Sequence, residues 1–206
     1  MAIWLARHGE TEWTGSGRHT GSTDIALIHE GELQAIALGK LLAGRSFAHV
    51  FASPMRRAQE TARLAGLGDR FEILEDLREV DYGEYEGVTT TQIHERDPGW
   101  ELFRDGCPAG ESPGRMTERV DRLLSRLRGL PADVLLFGHG HTFRATAARF
   151  LRLPISSATN LRLDAGTLSI LAEGRDGPSL VVWNRRISAR AVVVAEAATS
   201  IARSTT

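Results

Sequence analysis

Two histidines of this sequence follow directly after short apolar runs. His8 comes after residues 2–6, and His139 comes after residues 133–137. A neutral imidazole, with an ordinary pKa of about 6.5, can attack phosphorus at cellular pH without first losing a proton to a base. A second imidazole, held protonated beside the anion, would stabilise the charge on the phosphoryl oxygens. We therefore expect His8 to be a nucleophile in phosphoryl transfer and His139 to be the second imidazole.

Arginines stand close to the same places. Arg7 precedes the first histidine, and Arg56 and Arg57 follow Ser53-Pro54. That dipeptide predicts a helix start, with Ser53 as the N-cap and Pro54 as the first helical residue. Guanidinium groups match phosphate oxygens in a bidentate way, and helix N-termini add backbone donors. The expected ligand is a phosphoryl group.

Such a site also needs close backbone approach and an acid. Gly9, Gly138 and Gly140 flank the two histidines and would let the backbone come close to the substrate. The leaving alkoxide needs a proton, so a carboxylic acid should donate one and then deprotonate the attacking water. An acidic stretch offers four candidates: Glu79, Asp81, Glu84 and Glu86.

A metal site is the alternative reading of part of this set. His139 and His141 form a His-x-His pair, a spacing also found in metal sites. No Asp or Cys ligand follows at metal-binding spacing, so we expect no metal and no other cofactor. Sensitivity to EDTA distinguishes the two hypotheses. We expect His19 and Tyr82 to be packing or surface residues.

The elements that must position these residues alternate along the chain. Apolar runs predict buried strands at residues 2–6, 48–52, 133–137, 167–171 and 180–183. Three- and four-residue apolar steps predict helices at residues 32–44, 53–65, 90–95, 115–128 and from 142 onward. Residues 14–21, rich in glycine and hydroxyl groups, predict a long surface loop.

This alternation predicts an α/β fold: a three-layer sandwich with a mostly parallel central sheet and helices on both faces. In an open α/β sheet, ligands bind in the crevice beyond the carboxyl ends of the strands. That crevice would bring both histidines and the arginines together. We expect one domain at residues 1–186 and a C-terminal tail of uncertain structure at residues 187–206.

Composition limits the partners. The 206 residues carry 25 Lys plus Arg against 26 Asp plus Glu, a formal net charge of −1, so no global field would hold nucleic acid or an anionic membrane. No run approaches the roughly 20 apolar residues of a membrane span. The single cysteine, Cys107, suits a reducing cytoplasm. We expect a cytoplasmic protein whose partner is a small phosphorylated substrate, and the sequence leaves a homo-oligomer open.

Four ordered blocks of the sequence resemble the histidine phosphatase superfamily, also called the phosphoglycerate mutase-like family. The blocks are residues 7–13 (RHGETEW), 53–62 (SPMRRAQETA), 77–87 (LREVDYGEYEG) and 138–140 (GHG). The resemblance implies that His8 is the phosphorylated nucleophile and that Glu79 is the proton donor. It also implies a phosphate pocket formed by Arg7, Arg57 and His139. Arg57 is preferred to Arg56 because it directly precedes Ala58, as in the family pattern.

The resemblance extends to substrate-binding positions. Residues 110–112 resemble a family segment near the phosphate, which implies contacts from Glu111 and Ser112. Thr14 stands where the family usually has asparagine, so it keeps one hydrogen bond with less reach. Arg18 would either bind a second phosphate or be solvated. The expected substrate-binding set is completed by Arg7, Arg57, Gly9 and Gly140.

Within the superfamily, the sequence resembles a branch of small acid phosphatases and sedoheptulose bisphosphatases, and it lacks the Trp-Arg-Arg segment of cofactor-dependent mutases. This resemblance implies a metal-independent phosphomonoesterase that hydrolyses small phosphorylated metabolites, among them sugar phosphates and bisphosphates, through a phosphohistidine. Two alternatives stay open. One is a cofactor-dependent phosphoglycerate mutase, and the other is a catalytically silent phosphate-binding module.

Overall fold

A computed structural model describes residues 1–186; the predicted tail at 187–206 lies outside the described residues. Six strands form one sheet: β1 (Ala2–Arg7), β2 (His49–Ala52), β3 (Glu72–Ile73), β4 (Val134–Gly138), β5 (Leu168–Gly174) and β6 (Gly177–Arg185). Their order in space is β3-β2-β4-β1-β5-β6. The strands β3, β2, β4 and β1 are parallel to one another. Strand β5 pairs antiparallel with β1, and β6 pairs antiparallel with β5. The predicted mostly parallel α/β sheet is confirmed.

Seven α-helices accompany the strands over the described residues: α1 (Glu12–Ser16), α2 (His29–Leu42), α3 (Arg56–Ala62), α4 (Thr90–Arg96), α5 (Leu102–Asp105), α6 (Pro113–Arg128) and α7 (Gly140–Phe150). None of the helices within residues 1–186 is both long and apolar enough to cross a membrane.

The sheet separates two apolar cores, because successive side chains of a strand point to opposite faces. Ile3 and Leu5 of β1 belong to one core, which contains the buried side chains of α6 and α7. Trp4 and Ala6 belong to the other, which contains Leu38 of α2. Strand β4 is buried along its whole length, as expected for a central parallel strand covered on both faces. The predicted three layers are therefore present.

The register of β1 and β4 fixes the position of the two histidines. Arg7 lies opposite Gly138 in the parallel pair, so His8 and His139 each follow a strand end at the same edge. The His8 N–H donates to the Gly138 carbonyl at 2.9 Å. The crevice expected beyond the carboxyl ends of the strands thus exists between these two chain segments.

The predicted loop at residues 14–21 is wrong in its first part. Helix α1 runs through Ser16, because the Thr11 hydroxyl accepts the Thr14 N–H and caps the helix. Gly17 then ends it with φ at 71°, a left-handed conformation that glycine adopts without strain. Glycine and hydroxyl residues here mark the ends of a short helix rather than an irregular segment.

The predicted cap at Ser53 is also wrong. Helix α3 begins at Arg56, and its N-cap residue, Met55, makes no side-chain capping bond. The Ser53 hydroxyl lies 2.7 Å from His139 Nε2 instead. Helix α2 begins at His29, one turn earlier than the apolar spacing indicates, and it too has no side-chain cap.

Candidate active site

A cavity of about 200 Å³ opens beyond the ends of β1 and β4. It is lined by Arg7, His8, Thr14, Gly17, Arg18, His19, Thr20, Glu79, Tyr82, Thr90 and His141. Three of the predicted catalytic residues, Arg7, His8 and Glu79, therefore form its walls. His139 and Arg57 do not line it; both are fully buried behind His8.

His8 is held with one nitrogen bonded and the other open. Its Nδ1 lies 2.7 Å from the Gly9 carbonyl oxygen. A carbonyl oxygen only accepts, so Nδ1 carries the proton and Nε2 carries the lone pair. Within residues 1–186, the fully enclosed side-chain polar atoms without a partner are Trp4 Nε1 and Arg7 Nε. His8 Nε2, which makes no hydrogen bond there, is therefore reached from the cavity.

The charge state of His8 follows from its surroundings. Burial lowers its pKa well below the ordinary value, and the positive charges of Arg57 and Arg7 lower this pKa further. The bond to Gly9 opposes the shift but does not reverse it. His8 is thus a neutral imidazole at cellular pH, with its unprotonated Nε2 towards the cavity.

His139 is neutral as well in this structure, whereas protonation of the ring beside a phosphoryl anion stays a prediction. Its centroid lies 5.1 Å from that of His8. Arg57 Nε, which only donates, lies 3.2 Å from His139 Nδ1, so Nδ1 must be unprotonated. Burial lowers the pKa of His139 well below the ordinary value, and Arg57 lowers it further. Its Nε2 then carries the proton and faces the Ser53 hydroxyl at 2.7 Å.

Arg57 does not line the cavity, and its guanidinium forms hydrogen bonds with the backbone of the loop after α1. Besides His139, its guanidinium donates to the carbonyls of Thr23 at 2.9 Å, Thr20 at 3.1 Å and Gly21 at 3.0 Å. Four acceptors occupy four of its five N–H groups, and one N–H is left. Arg56, by contrast, is exposed and pairs with Glu60.

Arg7 is partly buried in the cavity wall and has an incomplete set of partners. Its Nη1 donates to the Leu163 carbonyl, while Nε is fully enclosed and makes no hydrogen bond. A Cβ on Gly140 would come within 3.1 Å of the Arg7 Cζ. Gly140 therefore lets the guanidinium lie against the start of α7, and its predicted role in admitting substrate is replaced by this contact.

Glu79 is fixed at the N-terminus of α7. Its Oε2 accepts the His141 N–H at 3.0 Å, and its Oε1 accepts the Thr142 N–H at 2.9 Å and the Thr142 hydroxyl at 3.1 Å. Oε1 also accepts the N–H of Val80 at 3.0 Å. The side chain is only 6% exposed. The carboxyl group therefore has one orientation, with the cavity beside it.

Three of the predicted substrate contacts lie elsewhere. Glu111 is buried in a bidentate pair with Arg119, with both N–O distances 2.7 Å. Ser112 caps α6 by accepting the N–H three residues further on, at 3.2 Å. A Cβ on Gly9 would come 2.1 Å from the Gly31 carbonyl oxygen, so this glycine lets two backbones touch. None of the three lines the cavity.

The cavity wall also contains residues that the sequence assigned to packing or to the surface. His19 and Tyr82 are buried, and both line the cavity. Their position depends on segments far apart in the sequence, so no local spacing signals it. Thr14 and Arg18 also line the cavity, and the Arg18 guanidinium lies 5.9 Å from the centroid of the Trp13 ring.

The His-x-His pair does not converge. His139 bonds with Ser53 and Arg57, whereas His141 Nδ1 lies 2.6 Å from the Tyr82 hydroxyl. Over the part of the chain that the structure describes, no group of three His, Cys, Asp or Glu side chains is arranged to hold a metal ion.

Known proteins resemble this chain along most of its length. A family model described as the histidine phosphatase superfamily (branch 1) matches residues 3–186. An acid phosphatase of Mycobacterium tuberculosis is 41% identical over 172 residues, which cover 82% of this chain and 84% of the relative. A sedoheptulose 1,7-bisphosphatase of Saccharomyces cerevisiae is 33% identical over 183 residues, which cover 73% and 68%. The solved structure of the open reading frame Rv3214 from Mycobacterium tuberculosis superposes with a TM-score of 0.86 and 37% identity, covering 90% of this chain and 97% of that one.

Proposed function

The chain belongs to the histidine phosphatase superfamily, and we propose that it hydrolyses small phosphate monoesters through a phosphohistidine at His8. It is a hydrolase of the phosphatase class. The proposal concerns the roles of its residues and its range of substrates.

One observation carries the proposal. Arg57 is fully buried and Arg7 is partly buried, and neither forms an ion pair with a carboxylate among residues 1–186. A buried guanidinium without a counter-ion is costly, because desolvation is not repaid. A phosphoryl dianion in the cavity beside Arg7 and His8 would supply the missing charge, directly to Arg7 and at longer range to Arg57.

The transfer step follows from the free nitrogen of His8. Its Nε2 lone pair attacks phosphorus, and the bond from phosphorus to the ester oxygen breaks. The leaving alkoxide takes the proton of the Glu79 carboxyl group. Arg7 and the His139 Nε2–H, which can turn its bond from Ser53 to a phosphoryl oxygen, stabilise the equatorial charge. Arg57 supplies positive charge from behind and orients His139 through its Nδ1.

Hydrolysis reverses these roles. Glu79, now a carboxylate, takes a proton from water, and the water oxygen attacks the phosphorus of the phosphohistidine. The bond from phosphorus to Nε2 breaks, which regenerates His8 and releases inorganic phosphate. Glu79 regains its proton in the same step, so the cycle closes without a metal ion.

The substrate class is supported by the relatives. One of them is named a sedoheptulose 1,7-bisphosphatase. In this chain, Arg18 adds a cation to the cavity wall. We therefore propose sugar phosphates and bisphosphates as substrates, with Arg18 near the second anion. We further propose that the enzyme acts in the cytoplasm, without nucleic acid or membrane partners. A screen of phosphorylated metabolites tests the substrate class.

Replacement of His8 tests the mechanism. His8→Ala should abolish turnover of p-nitrophenyl phosphate and the trapping of an acid-labile phosphoprotein from a radiolabelled ester. His29→Ala, at an exposed histidine outside the site, is the control and should behave as the wild type. Full activity in the His8 variant would exclude the phosphohistidine. Interconversion of phosphoglycerates stimulated by 2,3-bisphosphoglycerate would indicate a mutase instead.

A further inference from the structure

Two histidines of the cavity wall, the buried His19 and the partly exposed His141, have no part in the mechanism above. His19 and His141 both line the cavity. Their rings are nearly parallel, at 12°, with centroids 6.0 Å apart. The Tyr82 ring stands against both of them. These side chains face the space that the alcohol part of a substrate would fill.

His19 is fixed by backbone and side-chain bonds to one neighbouring segment. Its N–H donates to the Val88 carbonyl at 3.0 Å, and its own carbonyl accepts the Gly87 N–H at 2.8 Å. The ring Nδ1 lies 2.8 Å from the same Val88 oxygen. Because a carbonyl only accepts, Nδ1 carries the proton and Nε2 is an acceptor. His19 therefore presents a fixed acceptor.

His141 presents an adjustable group. Its Nδ1 lies 2.6 Å from the Tyr82 hydroxyl, which can either donate or accept. If the hydroxyl donates, His141 Nε2 carries the proton and donates; if it accepts, Nε2 is an acceptor. A change between the two needs rotation of the hydroxyl together with a shift of the ring proton from one imidazole nitrogen to the other.

The Nε2 atoms of His19 and His141 are open to the cavity, and both imidazole rings are neutral. Neither Nε2 makes a hydrogen bond within residues 1–186, and neither is among the fully enclosed unpartnered atoms. Burial lowers the pKa of His141 well below the ordinary value and also lowers that of His19. Neutral imidazoles do not attract an anion as a cation does, but they match hydroxyl groups, which both donate and accept.

We infer that His19 and His141 are specificity-determining residues that bind hydroxyl groups of the leaving alcohol, so that phosphate monoesters of sugars and other polyols are preferred to those of simple alcohols. The inference rests on the proposed function, because it assigns the alcohol part of the same substrate. A fixed acceptor beside an adjustable group suits two hydroxyl groups of one polyol. A simple alkyl chain would leave both nitrogens without a partner.

Two substrates that differ only in hydroxyl groups test this inference. The kcat/KM of the wild type for ribitol 5-phosphate should exceed that for n-pentyl phosphate by about tenfold or more. His19→Phe and His141→Phe keep an aromatic ring in each place but remove its nitrogens. Each should lower this ratio by about 3- to 10-fold, the effect of one neutral hydrogen bond. His29→Phe, the same change at an exposed histidine, should leave the ratio unchanged.

The outcomes separate the two proposals. An unchanged ratio in both cavity variants, or a wild type without preference for the polyol ester, overturns the hydroxyl contacts while His8 chemistry stands. A wild type that forms no phosphohistidine overturns both proposals. The wild-type ratio needs no variant, so the inference stays testable even if His19→Phe does not fold. Partial recovery of the ratio in His141→Gln would further support it.

Discussion

Two buried arginine sites of this protein differ in what balances their charge. Arg119 forms two 2.7 Å bonds to Glu111 and donates to the carbonyls of Asp76 and Arg78. Burial opposes its charge, but the bonds and charge of Glu111 outweigh burial and raise its pKa. Burial lowers the pKa values of Arg7 and Arg57, for which distant carboxylates compensate only in part.

This difference indicates which of the two charges stabilises the fold and which is available to a ligand. The Arg119 pair is complete without a ligand, and it fixes the chain just before Glu79 through the Arg78 carbonyl. Arg7 keeps an enclosed Nε without a partner. Strained or unsatisfied groups of this kind persist at functional sites because the surrounding structure stabilises them. We therefore propose that an anion from outside the chain completes the site of Arg7.

The largest effect should come from removing the unbalanced charge. Arg7→Met keeps most of the volume but removes the donors, and we expect kcat/KM for p-nitrophenyl phosphate to fall about a thousandfold. The melting temperature should not fall, because an uncompensated buried charge is removed with it. Steady-state kinetics and thermal unfolding measure the two quantities.

Inorganic phosphate provides the control for that variant. It should raise the melting temperature of the wild type, since a ligand that binds only the folded state stabilises it, and it should fail to do so in Arg7→Met. Equal stabilisation of the two proteins would show that Arg7 does not contact the anion.

The balanced pair should show the reverse pattern. Arg119→Met leaves the Glu111 carboxylate buried and unpaired, and we expect it to lower the free energy of unfolding by about 3 kcal/mol. Chemical denaturation measures this change. The double variant Arg119→Met/Glu111→Leu should recover much of the loss, because no charge remains buried. A single variant as stable as the wild type would contradict the contrast between the two sites.

A smaller effect should appear in the titration of His8. NMR should place its folded-state pKa below 6.5, and Arg7→Met should raise it without restoring the ordinary value, because burial and Arg57 remain. The unfolded chain binds the proton more readily, so the stability from neutral His8 is complete above about pH 6.5. It is lost as the pH falls towards the folded-state pKa. A wild-type His8 that titrates at or above 6.5 would exclude this electrostatic account.

EDTA should have no effect at all. Balance of the transferred charge by Arg7, Arg57 and the α7 N-terminus requires no metal ion. Activity on p-nitrophenyl phosphate after dialysis against EDTA should equal that before it. Loss of activity that zinc restores would instead support a metal at His139 and His141.

The sequence predicted the residues that stand at strand ends better than those held by distant partners. His8 and His139 follow apolar runs that form β1 and β4, and parallel pairing then brings them together. The position of His19 depends on pairing with residues 87–89, and the orientation of Arg57 depends on three loop carbonyls. Such contacts leave no periodic signal. Their geometry exists only once the chain has folded.

Glu111 is a second residue whose contacts the sequence did not predict. Its resemblance to a phosphate-site segment implied a substrate contact, whereas it is the counter-ion of Arg119, eight residues later. The sequence does not tell which face of α6 is covered at its start, so it gives no sign of the pairing with Arg119. The sequence identified residues 110–112 as a segment of interest, but it did not predict the ion pair of Glu111 with Arg119.

The contact between Gly9 and Gly31 restricts how this enzyme can evolve or be redesigned. A Cβ on Gly9 would come 2.1 Å from the Gly31 oxygen, and a Cβ on Gly31 would come 2.1 Å from the Glu10 oxygen. Each clash is with backbone, so a change of a neighbouring side chain cannot relieve it. Libraries of variants that seek new substrates should leave this pair unchanged and vary Thr14 and Arg18 in the cavity wall.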